Sequence, residues 1–565
     1  MDLILPTSAA RLRHSSMSIE HSARPQISCE RIHLSTFAPD SISREQIQEH
    51  ERSRPEYFEV KALHDNLVDR SVRGGTVTIF GEATRFVLRL GSTAVLSRLL
   101  APADFGLVAM VTTITGFVGI LQGAGISMAT VQQERINHAQ VSTLFWVNVA
   151  LAICLMLVTV ALAPAIAWFY NDPRLTLITI ALAATFLLSG LAIQHSALLR
   201  RQMQFGTIAL VEVVALLASV LSGIMAAALG ARHWSLVIMS LVASATGLIL
   251  TWLFCSWRPA SPQRGSGVRS MLIFGANLSI VDILSFVSRN ADNLLVGAVW
   301  GAGPLGIYAR AYQLLVLPLQ QVTFPLGSVA IPALSRLHDD PKRYREYYYR
   351  FCEVMLAIGM PIAAFSIVAA DAIVLTVLGP QWTACIGVYR AFGFAALFQV
   401  FSVALGSVFV SLGKSDKMLR AALCTTISYL IAFAIGVHWG PQGVAFSLTV
   451  VLGISTPAVA LYAYYGSPLR ICGLLASLWR PLISSMAAGY VTWCFFGLTS
   501  DGSYAAAFWL TLQAVTFAPI YLIVWMMLPG GRLFLRSIAV LTLSRLVCRQ
   551  ARPSNRAGGI ARDLE

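Results

Sequence analysis

Charge is what this chain has least of. Lys, Arg, Asp and Glu make up 12% of its 565 residues, whereas a soluble chain carries about 25%. That scarcity excludes an ordinary water-soluble enzyme. A disordered scaffold is excluded too, because such chains are rich in charge and poor in apolar residues. There are nine cysteines, no two of them in a C-x-x-C, and their spacings fit no zinc pattern. Most sit in apolar runs, where the thiol behaves as a small hydrophobe. Neither a disulfide framework nor a metal site is expected. Walker A, G-x-S-x-G and H-E-x-x-H motifs are missing as well. Nothing therefore points to ATP hydrolysis or to a familiar hydrolase; no cofactor is expected, and the chain is read as a non-enzyme.

What is abundant is apolar surface: 56% apolar residues and a mean hydropathy of +0.69. From Thr76 onward, apolar stretches of about 20 residues, the length that crosses a bilayer, follow one another with short breaks. The pattern predicts fourteen spans, the first at 76–99, the seventh at 271–297, the ninth at 352–378 and the last at 505–528. Charges interrupt the first and seventh. Residues 1–72 are polar and patternless and read as a disordered extension.

The loops support this count. With the N-terminus inside, sixteen Lys or Arg fall in the short inner loops and two, Arg174 and Arg232, in the outer ones. That is the bias of the positive-inside rule. The C-terminal tail adds seven arginines after residue 530, and its segment 532–549 alternates Arg with aliphatic residues, as expected of a helix lying along the inner surface. The net charge of +14 is thus a topology signal. No basic block accompanies a nucleic-acid motif, so no nucleic acid is expected as a partner. No outer loop is long enough to fold into a catalytic domain.

An internal repeat runs through the chain. Arg89 to Gly106 reads RLGSTAVLSRLLAPADFG, and Arg289 to Gly306 reads RNADNLLVGAVWGAGPLG. Each half opens with a charged helix, then a Pro/Gly turn, then a long apolar helix. Such repeats are common in transporters. The architecture expected is an all-α integral membrane protein: a six-helix lobe over 73–265, a second over 266–466, two extra helices over 467–530 and a basic tail over 531–565.

Ionised groups at mid-bilayer cost about 2.5–3.5 kcal/mol each on insertion scales, so they persist where they meet water, a partner or a substrate. The first span carries Glu82, Arg85 and Arg89 on one helical face. The seventh carries Asp282, Arg289 and Asp292 with the amides Asn277, Asn290 and Asn293. The fifth adds Glu212. One reading is a hydrated cavity between the halves, with the first and seventh helices facing each other. There Arg85, Arg89 and Arg289, with Asn290 and Asn293, would hold an anionic group, because guanidinium pairs bidentately with phosphate oxygens. The competing reading is internal salt bridging, Glu82 with Arg85 and Asp282 with Arg289. Glu82, Glu212, Asp282 and Asp292 are candidates for coupling a proton or sodium ion. Arg98, Arg310 and Arg390 lie near span ends and read as snorkelling residues. The pair Asp339–Asp340 reads as a solvated loop.

Several motifs together carry a resemblance. Ser97-Arg98-Leu99-Leu100-Ala101-Pro102-Ala103-Asp104-Phe105-Gly106-Leu107 resembles the opening motif of polysaccharide-exporting flippases. Ser142–Asn148, Arg289–Gly297, Tyr308–Leu314, Ile331–Leu337 and the Leu378-Gly379…Trp382 turn agree in order. Over about residues 65–465 the chain resembles the Wzx-type lipopolysaccharide and exopolysaccharide branch of the multidrug/oligosaccharidyl-lipid/polysaccharide exporter superfamily. The resemblance implies a multi-pass flippase of the bacterial inner membrane with both termini cytoplasmic. It would move polyprenyl-pyrophosphate-linked oligosaccharide by alternating access of a cationic cavity. Its partners would be that lipid-linked substrate, membrane lipids, a polysaccharide polymerase and a chain-length regulator. A drug or cation exporter of the same superfamily, or a membrane-embedded polymerase or glycosyltransferase, is the alternative.

Overall fold

The computed structural model describes residues 67–133, 136–263, 269–496, 506–534 and 536. Among them it contains fifteen α-helices and no strand. The first group is α1 (Leu67–Leu99), α2 (Pro102–Gln132), α3 (His138–Tyr170), α4 (Arg174–Arg201), α5 (Phe205–Ala228) and α6 (Trp234–Phe254). The second is α7 (Arg269–Trp300), α8 (Ala302–Arg336), α9 (Pro341–Val368), the short α10 (Ala370–Val377), α11 (Cys385–Ser411), α12 (Ser415–Gly436) and α13 (Gly440–Tyr464). Two more follow, α14 (Ile471–Phe496) and α15 (Ala506–Met527). Apart from the eight-residue α10, that gives the fourteen long helices expected. In hydrocarbon an unpaired peptide group is so unfavourable that a spanning segment must satisfy its backbone internally, which a helix does.

Eleven stretches of the described residues are long and apolar enough to cross a membrane. One of them, Ser415–Tyr464, is broken by the 3-10 turn Val437–Trp439 into α12 and α13. The charged α1 and α7 are not among the eleven. Three helices start well before the apolar runs that predict them, α14 among them, at Ile471 rather than 481. α1 begins at Leu67, inside the polar extension, whose residues 1–66 lie outside the described structure. α9 begins at Pro341, and the Asp340 carboxylate caps it by accepting from the Lys342 and Arg343 amides, both at 3.1 Å. Asp340 therefore has a local structural task. The tail segment 532–549 is described only at 532–534 and 536.

The packing repeats between the groups. In the first lobe α1 packs on α5, α2 on α4, α3 on α4, α4 on α6 and α5 on α6. In the second α7 packs on α12, α8 on α11, α9 on α11, α11 on α13 and α12 on α13. Each contact has its counterpart, with α10 as an insertion after α9. The extra helices sit to one side: α14 packs on α9 and α15, and α15 on α10. A half-buried ion pair, Arg480 Nη1 to Glu353 Oε1 at 2.8 Å, ties α14 to α9.

The lobes are clamped at one end. α2 and α8 cross there so closely that only glycine fits at Gly106 and Gly306. A Cβ on Gly106 would lie 1.7 Å from the Ala302 carbonyl oxygen, and one on Gly306 would lie 1.9 Å from that of Pro102. Beside the crossing, the indole N–H of Trp382 donates to the Ser97 carbonyl at 2.7 Å, and Arg98 donates to that of Thr376 at 2.8 Å. Gln381 donates to the Ser97 and Leu100 carbonyls. The Phe105 ring packs 5.5 Å from that of Trp382. Arg98 thus bridges the lobes rather than snorkelling. The opposite end of the bundle carries most of the Lys and Arg and is called the basic end below.

Candidate functional site: the space between the lobes

Beneath the clamp, α2, α5 and α6 of one lobe face α7 and α8 of the other across a cavity of about 470 Å³. Its polar lining includes Thr112, Ser219, Asn290, Asn293, Arg310 and Gln313. The four hydroxyl residues Thr112, Thr113, Ser219 and Ser240 all donate to backbone carbonyls. Their remaining lone pairs can only accept. Asn290 donates back to the Phe286 carbonyl at 3.0 Å. The side-chain oxygen of Asn293 is buried without a partner.

Arg310 is the cation in this lining. Its guanidinium lies 3.8 Å from the centroid of the Phe105 ring and donates to Gln313 Oε1 at 2.8 Å. No acid pairs with it among the described residues. The snorkelling expectation fails here because α8 points this residue into the interlobe space. Arg390, by contrast, pairs with Asp371 at 2.5 Å on the flank of the second lobe.

Among the residues expected at the site, the structure brings Glu82, Arg85 and Glu212 together. Arg85 donates one side of its guanidinium to Glu82 and the other to Glu212 of α5. It is mostly buried, and both its charge and its direction are used within the first lobe. Salt bridging is thus what the structure holds at Arg85, and the second acid, Glu212, was not part of that expectation. Two carboxylates share one guanidinium, which leaves the triad with a formal charge of −1.

Arg89, further along α1 toward the clamp, is exposed and has no ion-pair or side-chain hydrogen-bond partner among the described residues. Arg289 on α7 is exposed in the same way. The expected Asp282–Arg289 pair cannot be placed, since the Asp282 and Asn277 side chains lie outside the described residues. Asp292 is only 5% exposed. It accepts from the Tyr308 hydroxyl at 2.7 Å and from the Asn293 amide at 2.8 Å. Asp292 therefore braces α7 against α8 behind the cavity wall. The described residues contain no cluster of His, Cys, Asp and Glu suited to a metal.

α1 and α7 are not packed on each other. The interlobe contacts run instead from α2 to α7 and α8. The contact that would mirror α2–α7 is α1–α8, and there the helices stand apart. An apolar opening of about 610 Å³ takes its place, with Phe86 and Leu90 of α1 on one side and Leu314 and Pro318 of α8 on the other. Phe517 and Tyr521 of α15 help to line it. α1 thus turns one face to this opening and carries its charges on another.

Comparison with known proteins is consistent with this architecture. The lipopolysaccharide biosynthesis protein WzxC of Escherichia coli (strain K12) is 26% identical over 435 residues, covering 75% of this chain and 87% of WzxC. The teichuronic acid biosynthesis protein TuaB of Bacillus subtilis (strain 168) is 24% identical over 414 residues, covering 72% and 85%. In fold, the chain is similar to the lipid II flippase MurJ in its inward closed conformation, with a TM-score of 0.67 at 13% identity, covering 83% of this chain and all of MurJ. The model of the polysaccharide biosynthesis protein family matches residues 95–387, just over half of the sequence, and this multi-pass membrane chain belongs to that family.

Proposed function

We propose that the chain is a flippase for polyprenyl-pyrophosphate-linked oligosaccharide in lipopolysaccharide or exopolysaccharide biosynthesis. One observation carries the reading: Arg310, a cation with no acidic partner among the described residues, lines the interlobe cavity beside Asn290 and Asn293, and an apolar opening lies between α1 and α8. A lipid-linked pyrophosphate has the same two parts. Its anionic headgroup would occupy the polar space, and its tail would lie in the opening and stay in hydrocarbon. The names of WzxC and TuaB, both polysaccharide biosynthesis proteins, and that of MurJ, a lipid flippase, point the same way.

The basic end is read as cytoplasmic by the positive-inside rule, and the membrane as the bacterial inner membrane. Both termini then face the cytoplasm. The clamp closes the periplasmic end, and the headgroup enters from the cytoplasm. Release requires the lobes to part at Gly106 and Gly306. Arg89, Arg289 and Arg310, with Asn290 and Asn293, would hold the headgroup by charge-assisted hydrogen bonds. Arg85 organises the Glu82–Glu212 pair, whose surplus negative charge would bind the coupling proton or sodium ion. A polymerase and a chain-length regulator would consume the product outside. The chain itself would break no bond.

The test is headgroup accessibility in spheroplasts with and without the gene, read with a periplasmic lectin. The expected result is loss of outward-facing lipid-linked sugar and its accumulation inside. Arg89→Ala with Arg289→Ala should reproduce that defect with the protein still in the membrane. An unchanged inside-to-outside ratio in both strains would overturn the reading.

A further inference from the structure

The lipid-facing side of the second lobe carries a furrow between α12 and α13. It consists of two open hollows of about 470 and 790 Å³ that meet at Ser428 and Val451. The first hollow begins at Arg420 and Tyr462, at the basic end. The second runs on to Trp439, which is 71% exposed. On α13 the first hollow extends from Tyr462 to Val451, eleven residues or about 16 Å at 1.5 Å per residue. That is close to half of the roughly 30 Å hydrocarbon core, so the hollow is one leaflet deep.

Its mouth is cationic. Lys414 donates to the Gly466 carbonyl at 2.6 Å and Lys417 to the Tyr465 carbonyl at 2.9 Å. The Lys417 ammonium also lies 5.6 and 5.3 Å from the ring centroids of Tyr462 and Tyr465. Carbonyls and rings hold these ammonium groups in place without neutralising them. Arg420 lines the hollow with no ion pair or hydrogen bond among the described residues. Asp416 is the one acid in this turn, so the three cations leave a surplus of two positive charges. Burial, and then the neighbouring Lys417 charge, hold the Lys414 ammonium below the usual lysine range.

We propose that this furrow is a binding site for an anionic phospholipid of the leaflet at the basic end. Its phosphate would sit among Lys414, Lys417 and Arg420, and one acyl chain would lie in the hollow up to Ser428. The three cations also satisfy the positive-inside rule, but that rule asks only for charge in the loop. It requires neither tethered ammonium groups nor a leaflet-deep hollow beneath them. The site lies on helices that do not line the interlobe cavity, so it is independent of the substrate reading.

The experiment is native mass spectrometry of the full chain titrated with phosphatidylglycerol or phosphatidylcholine of matched acyl chains. Wild type should prefer phosphatidylglycerol. Lys414→Gln, Lys417→Gln and Arg420→Gln should each weaken it about fivefold, the effect of one basic residue near an anionic surface, and leave phosphatidylcholine unchanged. Ser428→Trp, which fills the hollow without touching charge, should weaken both lipids. Equal binding of the two lipids by wild type would overturn the proposal even if no variant folds. Unchanged phosphatidylglycerol binding in the triple variant would do the same. Equimolar displacement by undecaprenyl phosphate would make the furrow a substrate entrance instead, and would also overturn it.

Discussion

Replacing Gly106 by alanine is the smallest perturbation that should open the clamp. The added methyl would lie 1.7 Å from the Ala302 carbonyl oxygen, 2.5 Å from its carbon and 2.9 Å from its Cα. All three are backbone atoms, so no side chain can swing aside. Real Cβ contacts essentially never fall below 3.0 Å, so α2 and α8 must separate by more than an ångström. Overpacking of this kind typically costs about 1–3 kcal/mol. It falls only on the clamped arrangement, and so shifts the population toward the parted lobes by about 5- to 150-fold. Spin labels at Leu229→Cys and Trp439→Cys, one on each lobe at the clamped end, would report it by pulsed electron resonance. The expected result is a second, longer distance in Gly106→Ala. Gly306→Ala should give the same result, because its methyl would lie 1.9 Å from the Pro102 carbonyl oxygen. The double variant should add less than the sum, since both methyls strain one crossing. A single wild-type distance in both variants would refute the reasoning.

Trp382→Phe keeps a ring against Phe105 and deletes the hydrogen bond to the Ser97 carbonyl. It should weaken the clamp by about 1 kcal/mol, and an unchanged distance distribution with the same labels would remove Trp382 from it. Arg480→Met leaves Glu353 half-buried and unpaired; a loss of about 1–3 kcal/mol should lower the melting temperature in detergent. The double variant with Glu353→Leu should recover most of it, and additive losses would show that the two side chains are uncoupled. Asp172 lies in the turn between α3 and α4, where hydrogen bonding from the Arg174 side chain holds its carboxyl below the usual aspartate range. Its stabilising effect is therefore complete above the unfolded value of about 3.9 and fades as pH falls through the lower folded value. Asp172→Asn should flatten that acid limb in melting curves recorded across the interval, and an unaltered limb would mean that the pair contributes nothing.

The spans were legible because lipid makes the whole circumference of a helix apolar, and a hydropathy run then marks both its existence and its length. The same logic misses helix that continues beyond the hydrocarbon. Leu67 to Arg73 and Pro341 to Arg350 are helical yet polar, so α1 and α9 begin earlier than the apolar runs. Depth along a span was readable, but direction was not. Arg310 stands eight residues into α8, a depth compatible with snorkelling, and only the packing of α8 on α2 turns it over Phe105. Pairing across long separations was equally hidden. Glu212 is 127 residues from Arg85, and no local spacing links them. Helical periodicity did find the face that carries Glu82, Arg85 and Arg89; it could not say that α5 would stand opposite with a second acid.

The repeat supplies a pivot for a two-state fold, and one departure from symmetry marks where a lipid would pass. Residue 102 stands to 302 as 106 stands to 306, and the backbone contacts at the crossing are reciprocal on that offset: Gly106 against Ala302, Gly306 against Pro102. A two-fold contact of this kind sits on the pseudo-symmetry axis, so either lobe can pivot there without unpacking its own helices. Symmetry would also match α2–α7 with α1–α8. The first is tightly packed, whereas the second is replaced by the apolar opening. A perfectly symmetric pair of lobes would be sealed on both sides or open on both. With one side packed, the opening would serve as a lateral route from bilayer to cavity, and it is lined by α1, the helix whose other face holds Arg85 between two acids. Substrate in the opening and protonation of the acid pair would then act on the same helix. Coupling between them would need no longer pathway than one turn of α1.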